Sequence, residues 1–235
     1  MISRFLSKLL IKFLLAPSSS LYSGPTHSTA DLLHTLRPGD ILLVEGNQRF
    51  SLFIKYLTQS NWSHVAMYIG NGRLVEADLV EGVRDIPLSE YANYHTRICR
   101  PVHMVKEDLD QVIKFCMDRM GLKYDLKNVF DLARYLFPFP FIPNKYKRDF
   151  LELGAGDPTK VICSSLLAEA FHQVKYPIIP NIVDNQKKRF FRKRHHTLFT
   201  PADFDRSPFF QIVKPTIEMG FNYVGFDWEK KVGNS

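Results

Sequence analysis

Two side chains in this sequence combine the type and placement needed for nucleophilic chemistry. Cys163 stands at the start of the apolar run VICSSLLAEAFHQV, just after a Gly/Asp/Pro-containing stretch, so the spacing predicts it at the entry of a helix. The unpaired N–H groups of a helix's first turn stabilise a thiolate and can also hold a tetrahedral oxyanion. His64 opens a second apolar run, HVAMYIG, whose alternation puts His64, Ala66 and Tyr68 on one strand face and Val65, Met67 and Ile69 on the other. An imidazole at a strand mouth is well placed as a general base. Asn71-Gly72 then signals a hairpin, and the returning RLVEAD carries Glu76 near the level of Tyr68 to Ala66, one step from His64. A carboxylate there orients and charge-stabilises an imidazole. Asp78 shares that face and is a second candidate for the same role. On position alone, plainer readings compete: Cys163 as a core thiol, His64 as a strand cap, Glu76 as a solvated carboxylate.

These residues need elements to hold them. DLLHTL is a short helix candidate, and RPGD is a turn feeding ILLVEG, which reads as a strand. Residues 49–58 repeat at helical spacing through Phe50, Phe53, Ile54 and Leu57. HVAMYIG, RLVEAD, GVRDIPL and TRICRPV are strands, with SEYANY as a short helical turn between the last two, which together make a β-meander. EDLDQVIKFCMDRM is an amphipathic helix with Leu109, Val112, Ile113, Cys116 and Met120 on one face, ended by Gly121. LKYDLKNVFDLARYLF reads as helical up to Pro138, Pro140 and Pro143, and FPFPFIPNKY as a stiff, exposed loop that could wall a lipophilic groove. In the helix after Cys163 the buried face is Leu166, Leu167, Ala170, Phe171 and Val174. TPADFDRSPFFQIVK holds a turn and a last strand. Three units follow: an amphipathic helix and linker over 1–30, a catalytic domain over 31–215, and a tail over 216–235.

The chain has 235 residues, 45% of them hydrophobic, with 31 Lys plus Arg against 24 Asp plus Glu and a net charge of +7. A core of ordinary size is available, which excludes intrinsic disorder. The charge is concentrated in two acid-free segments. Arg4, Lys8 and Lys12 form a basic stripe opposite Ile2, Phe5, Leu6, Leu9 and Phe13 in the first helix. Lys187, Lys188, Arg189, Arg192, Lys193 and Arg194 crowd a run read as a loop. The rest of the chain is close to neutral. The first segment fits an interfacial helix on an anionic membrane, and the expected location is the membrane periphery at the cytoplasmic face. A cleavable signal peptide or a transit peptide is an alternative. One short basic run on a near-neutral body is a poor footprint for nucleic acid, which is not an expected partner. No run approaches the length of about 18 apolar residues that spans a bilayer. Three scattered cysteines make no disulfide framework, and without CxxC or HxxxH no metal or cofactor is expected; Cys99 and Cys116 are assigned to packing.

The order PGDILL, WSHVAMYIG, RLVEAD, GV, LKYD, VICSSLLAEAF and TPADFDRSPFF resembles the circularly permuted papain-like hydrolases of the NlpC superfamily, the YiiX and YaeF-like group, over Leu36 to Val213. In that group the His precedes the Cys. The resemblance implies an α+β fold, an antiparallel β-meander or barrel packed against helices, here with an added N-terminal amphipathic helix. It also implies Cys163 as nucleophile, His64 as base, Glu76 as third polar residue and Tyr124 in a supporting role. The expected activity is cleavage of an amide, in a peptide or cell-wall fragment, or of an ester, through a thioester acyl-enzyme. Enzymes of the lecithin-retinol acyltransferase type use the same His-then-Cys order on lipids, so a lipidic substrate is the alternative. A catalytically inactive membrane-tethered scaffold is the non-enzymatic one.

Overall fold

Eight strands are present among the described residues, six of them in one antiparallel sheet. They are β1 (Ile41–Glu45), β2 (His64–Gly70), β3 (Arg73–Asp78), β4 (Gly82–Pro87), β5 (His95–Pro101), β6 (Asn181–Asn185), β7 (Lys188–Arg192) and β8 (Phe210–Val213). The helices are α1 (Thr29–Thr35), α2 (Arg49–Thr58), α3 (Lys106–Met117), α4 (Ile162–Gln173), α5 (Pro201–Arg206) and α6 (Pro215–Glu218), with short 3-10 turns at Leu88–Tyr91 and His196–Leu198. The computed structural model describes residues 16–17, 27–78, 80–123, 162–179, 181–185, 188–192 and 195–220. The expected basic helix with Arg4, Lys8 and Lys12 lies outside them. So do Tyr124, the helical stretch and Phe/Pro-rich segment that follow it, and Lys187, Lys193 and Arg194.

The strand order is β4-β3-β2-β1-β5-β8. β2, β3 and β4 form a meander as expected, but TRICRPV, expected to continue it, is β5 and pairs with β1 and β8; the sheet ends at β4 and β8 and is open rather than a closed barrel. Both of its faces are buried. On one, Leu43, Val65, Met67, Val75 and Cys99 pack with Val112 and Cys116 of α3 and Leu166, Leu167 and Phe171 of α4. On the other, Leu42, Val44, Ala66, Leu74 and Ile98 meet Leu32 of α1, Leu36 at its C-cap and Leu88 of the first 3-10 turn. Two covered faces explain why β1 is apolar at successive positions instead of alternating.

The structure departs from the sequence expectation at three points, and local chemistry explains the first two. The TPADFDR turn is a helix, because Thr200 and Asp203 form a capping box and Pro201 occupies the first turn. The basic run is no loop: Lys188–Arg192 pairs with Asn181–Asn185, setting Ile182 against Phe191 and Val183 against Phe190. Those β-branched and aromatic residues favour a strand whatever the flanking charge. Helix α3 stops at Met117, and Met120, expected on its buried face, is exposed. The chain beyond Val213 continues into α6 before the end of the described residues.

Strand β4 starts at a residue that must be glycine. Gly82 has φ +83°, and a Cβ there would lie 2.2 Å from the Leu122 carbonyl oxygen, which accepts the Val83 N–H at 2.9 Å. Gly82→Ala is therefore expected to lower Tm by about 3–10 °C. Thermal denaturation followed by circular dichroism checks this, and an unchanged Tm would show that β4 is not pinned at this contact.

Candidate active site

His64 is the first residue of β2, and its backbone is anchored against β1. Val44 of β1 is its partner in the sheet. Just before it, the Ser63 N–H donates to the Val44 carbonyl at 3.1 Å, and Ser63 Oγ accepts the Gly46 N–H at 2.9 Å. The indole of Trp62, buried one residue earlier, donates to Asp205 of α5 at 3.1 Å. The tight turn at Asn71-Gly72 returns the chain so that Glu76 pairs with Ala66, the next position of the His64 face. His64 Nε2 then lies 2.7 Å from Glu76 Oε2.

Glu76 is a charge out of water, its side chain only 1% exposed. Such a group persists as an anion only if donors saturate it. Oε1 accepts from Arg84 Nε at 2.8 Å and from its Nη2 at 2.7 Å. Oε2 accepts from the Tyr91 hydroxyl as well as facing His64. Burial alone would raise this carboxyl, but His64, Tyr91 and Arg84 together hold it down at about 2. An ionised carboxylate only accepts, so His64 Nε2 carries a hydrogen and Nδ1 is the nitrogen left for another partner.

That partner is Cys163, the second residue of α4, whose side chain lies close enough to the imidazole to act on its charge. Burial by itself lowers the His64 pKa. The Glu76 carboxylate and the Cys163 sulfur more than reverse this and raise it well above its ordinary value. The geometry joins the two layers of the core. Glu76 pairs with Ala66 and touches Tyr91, both on the α1 side of the sheet, whereas Cys163 belongs to the cluster on the α4 side. A ring at the very end of a strand can meet both, which an interior position could not. The arrangement is that of a thiol, a general base and an orienting carboxylate.

The structure thus brings Cys163, His64 and Glu76 together. Asp78, the other carboxylate considered for the third position, is turned elsewhere: its Oδ1 accepts the Val80 and Glu81 N–H groups at 2.7 and 2.8 Å. Cys99 and Cys116 are fully buried, and burial pushes both thiols up, Cys116 to about 12. Of the residues expected at an anionic surface, Lys188, Arg189 and Arg192 lie in β7 and are not brought to this site by strand pairing. Two contributors escaped the sequence reading. Arg84 is directly opposite Glu76 in the β3–β4 register, and extending strand pairing through the second hairpin would have found it. No spacing rule points the Tyr91 phenol at Glu76. Among the described residues, no group of three or more His, Cys, Asp or Glu side chains is placed to hold a metal ion.

A carboxyl with a depressed folded pKa stabilises the fold above its unfolded value of 4.5, and the contribution disappears as the pH falls toward about 2. Glu76→Gln is accordingly expected to lower Tm by about 5–10 °C at neutral pH. The gap from the wild type should narrow between pH 4.5 and 2. Thermal melts across that range provide the check, and a gap independent of pH would contradict an ionised Glu76.

Among solved structures, the crystal structure of the metalloprotein yiiX from Escherichia coli O157:H7 is similar, with 15% identity, a TM-score of 0.47, and coverage of 77% of this chain and 97% of that one. No curated protein matches the sequence. A family model described as permuted papain-like amidase enzyme, YaeF/YiiX, C92 family, matches residues 35–214, the stretch that holds His64, Glu76 and Cys163. The chain belongs to this permuted papain-like amidase family, a family of papain-like cysteine peptidases and amidases.

Proposed function

We propose that the protein hydrolyses an amide bond in a peptide or cell-wall-type substrate, with Cys163 as nucleophile, His64 as general base and acid, and Glu76 as the group that orients His64. The observation that carries this reading is that His64 is placed between Cys163, close enough to act on its charge, and Glu76 Oε2, 2.7 Å from its Nε2. His64 Nδ1 takes the thiol proton, and the thiolate attacks the amide carbonyl. The N–H groups at the start of α4 are positioned to hold the oxyanion. The C–N bond breaks as the imidazolium gives its proton to the leaving amine, which leaves a thioester on Cys163. Water, deprotonated by His64, attacks the thioester; the C–S bond breaks, the acid departs and the thiol is restored. Tyr124 is assigned a supporting role by family resemblance.

The charge pattern supports a location for this chemistry at an anionic membrane surface. Arg4, Lys8 and Lys12 would face the headgroups from one segment, and Lys187, Lys188, Arg189, Arg192, Lys193 and Arg194 from the other. The catalytic domain outside its basic run carries little net charge, so surface attraction and chemistry are separable.

Cys163→Ala and His64→Ala are each expected to lower kcat/KM on an amide substrate by about a thousandfold or more with the fold intact. A panel of peptide amides, N-acyl amino acids and phospholipid esters, assayed with and without anionic vesicles, checks both parts. Turnover of the esters alone would replace the amide reading with a lipid one. Retained amide turnover in Cys163→Ala would end the nucleophile assignment. Vesicle binding that survives neutralisation of both basic segments would end the surface assignment.

A further inference from the structure

The donors that surround Glu76 go beyond what a merely orienting carboxylate requires, and they come from two further elements. We propose that Arg84 and Tyr91 are positioning residues, which clamp both oxygens of Glu76 and so set the pH range over which the Cys163–His64 pair is reactive. This rests on the thiol–imidazole reading above.

Every charged or titratable group at the carboxylate can be assigned an effect. Glu76 faces His64 from β2, Arg84 from β4 and Tyr91 from the 3-10 turn. His64 in turn faces Cys163 from α4. Arg84 also holds Glu81 Oε2 at 2.8 Å and lies 3.6 Å from Asp78 Oδ2, which fixes the guanidinium at the rim while its inner edge meets Glu76. The Tyr91 ring leans on the His64 ring with centroids 5.9 Å apart. Burial and Glu76 raise its phenol well above the ordinary value, so it remains a donor across the working range.

Removing Arg84 would leave a buried anion with one imidazole and one phenol. The carboxyl would then take up a proton at a higher pH. Once protonated it no longer stabilises the imidazolium, so the thiolate–imidazolium form fails from the acid side. Loss of the Tyr91 hydroxyl acts in the same direction and more weakly, because a neutral donor is lost in place of a charge. The same hairpin contains an internal comparison: Arg73 Nε pairs with Asp85 Oδ1 at 2.9 Å, a similar arginine–carboxylate contact with no bond to Glu76 or His64.

The test is the pH dependence of Cys163 alkylation by iodoacetamide in the full chain, read by peptide mass spectrometry, for wild type, Arg84→Met, Arg84→Lys, Tyr91→Phe and Arg73→Met. Arg84→Met is expected to move the acid limb up by about one pH unit, so that the rate on that limb falls about tenfold. Tyr91→Phe should shift it less, Arg84→Lys should recover part of the loss, and Arg73→Met should not move it. On an amide substrate the Arg84 and Tyr91 variants should lower kcat and leave KM unchanged, and Arg73→Met should leave both unchanged. Coincident profiles for wild type, Arg84→Lys and Tyr91→Phe would overturn the proposal, and these two mild substitutions decide the matter even if Arg84→Met does not fold. If wild-type Cys163 is alkylated no faster than Cys99 or Cys116, the thiol reading itself fails, and this inference fails with it.

Discussion

A carboxylate almost without contact to water needs its charge compensated by protein, and around Glu76 that requirement fixes the relative placement of three segments. His64 must come from the start of β2, Arg84 from the middle of β4 and Tyr91 from the turn after it. None of these donors is near Glu76 in the chain, so each depends on the register of a hairpin or on the path that leaves it. A slip of one residue in β3 would carry Glu76 to the other face of the sheet and leave all three unpaired. The site and the local fold are therefore held by the same contacts.

The second structural condition is that the sheet has covered faces on both sides but exposes a chemical end. Its two apolar layers keep the strands rigid and apart from solvent. At the ends of β1 and β3 and the start of β2 the layers stop, and an imidazole can reach a carboxylate from one and a thiol from the other. That placement separates the roles. The α1 side supplies the electrostatic support of Glu76 and Tyr91, and the α4 side supplies Cys163, the proposed nucleophile, on the first turn of a helix. Cys99 and Cys116, on the same side as Cys163, lie within packed elements where burial holds them protonated.

The parts of this picture that could be read from the sequence are those governed by local rules. Strand alternation and the Asn71-Gly72 turn bring Glu76 to His64 because hairpin register is set within a few residues. The helix that carries Cys163 follows from the spacing of Leu166, Leu167, Ala170 and Phe171. No periodicity relates position 64 to position 163, and their meeting was legible only through the resemblance of whole sequence blocks to a permuted family. Charge concealed the strand at Lys188–Arg192, whose Phe190 and Phe191 carried the β signal. The helix at Pro201–Arg206 was short enough to pass as a turn, although its capping residues Thr200 and Asp203 stand in plain view.

The central claim is that an ionised Glu76 governs the protonation of His64. Nitrogen-15 NMR of histidine-labelled protein reads this directly from the two ring nitrogens of His64 across pH. The account predicts that His64 titrates well above 6.5, that its neutral form carries the hydrogen on Nε2, and that Glu76→Gln returns the titration toward the ordinary value. A His64 that titrates at or below 6.5 and is indifferent to Glu76→Gln would contradict it.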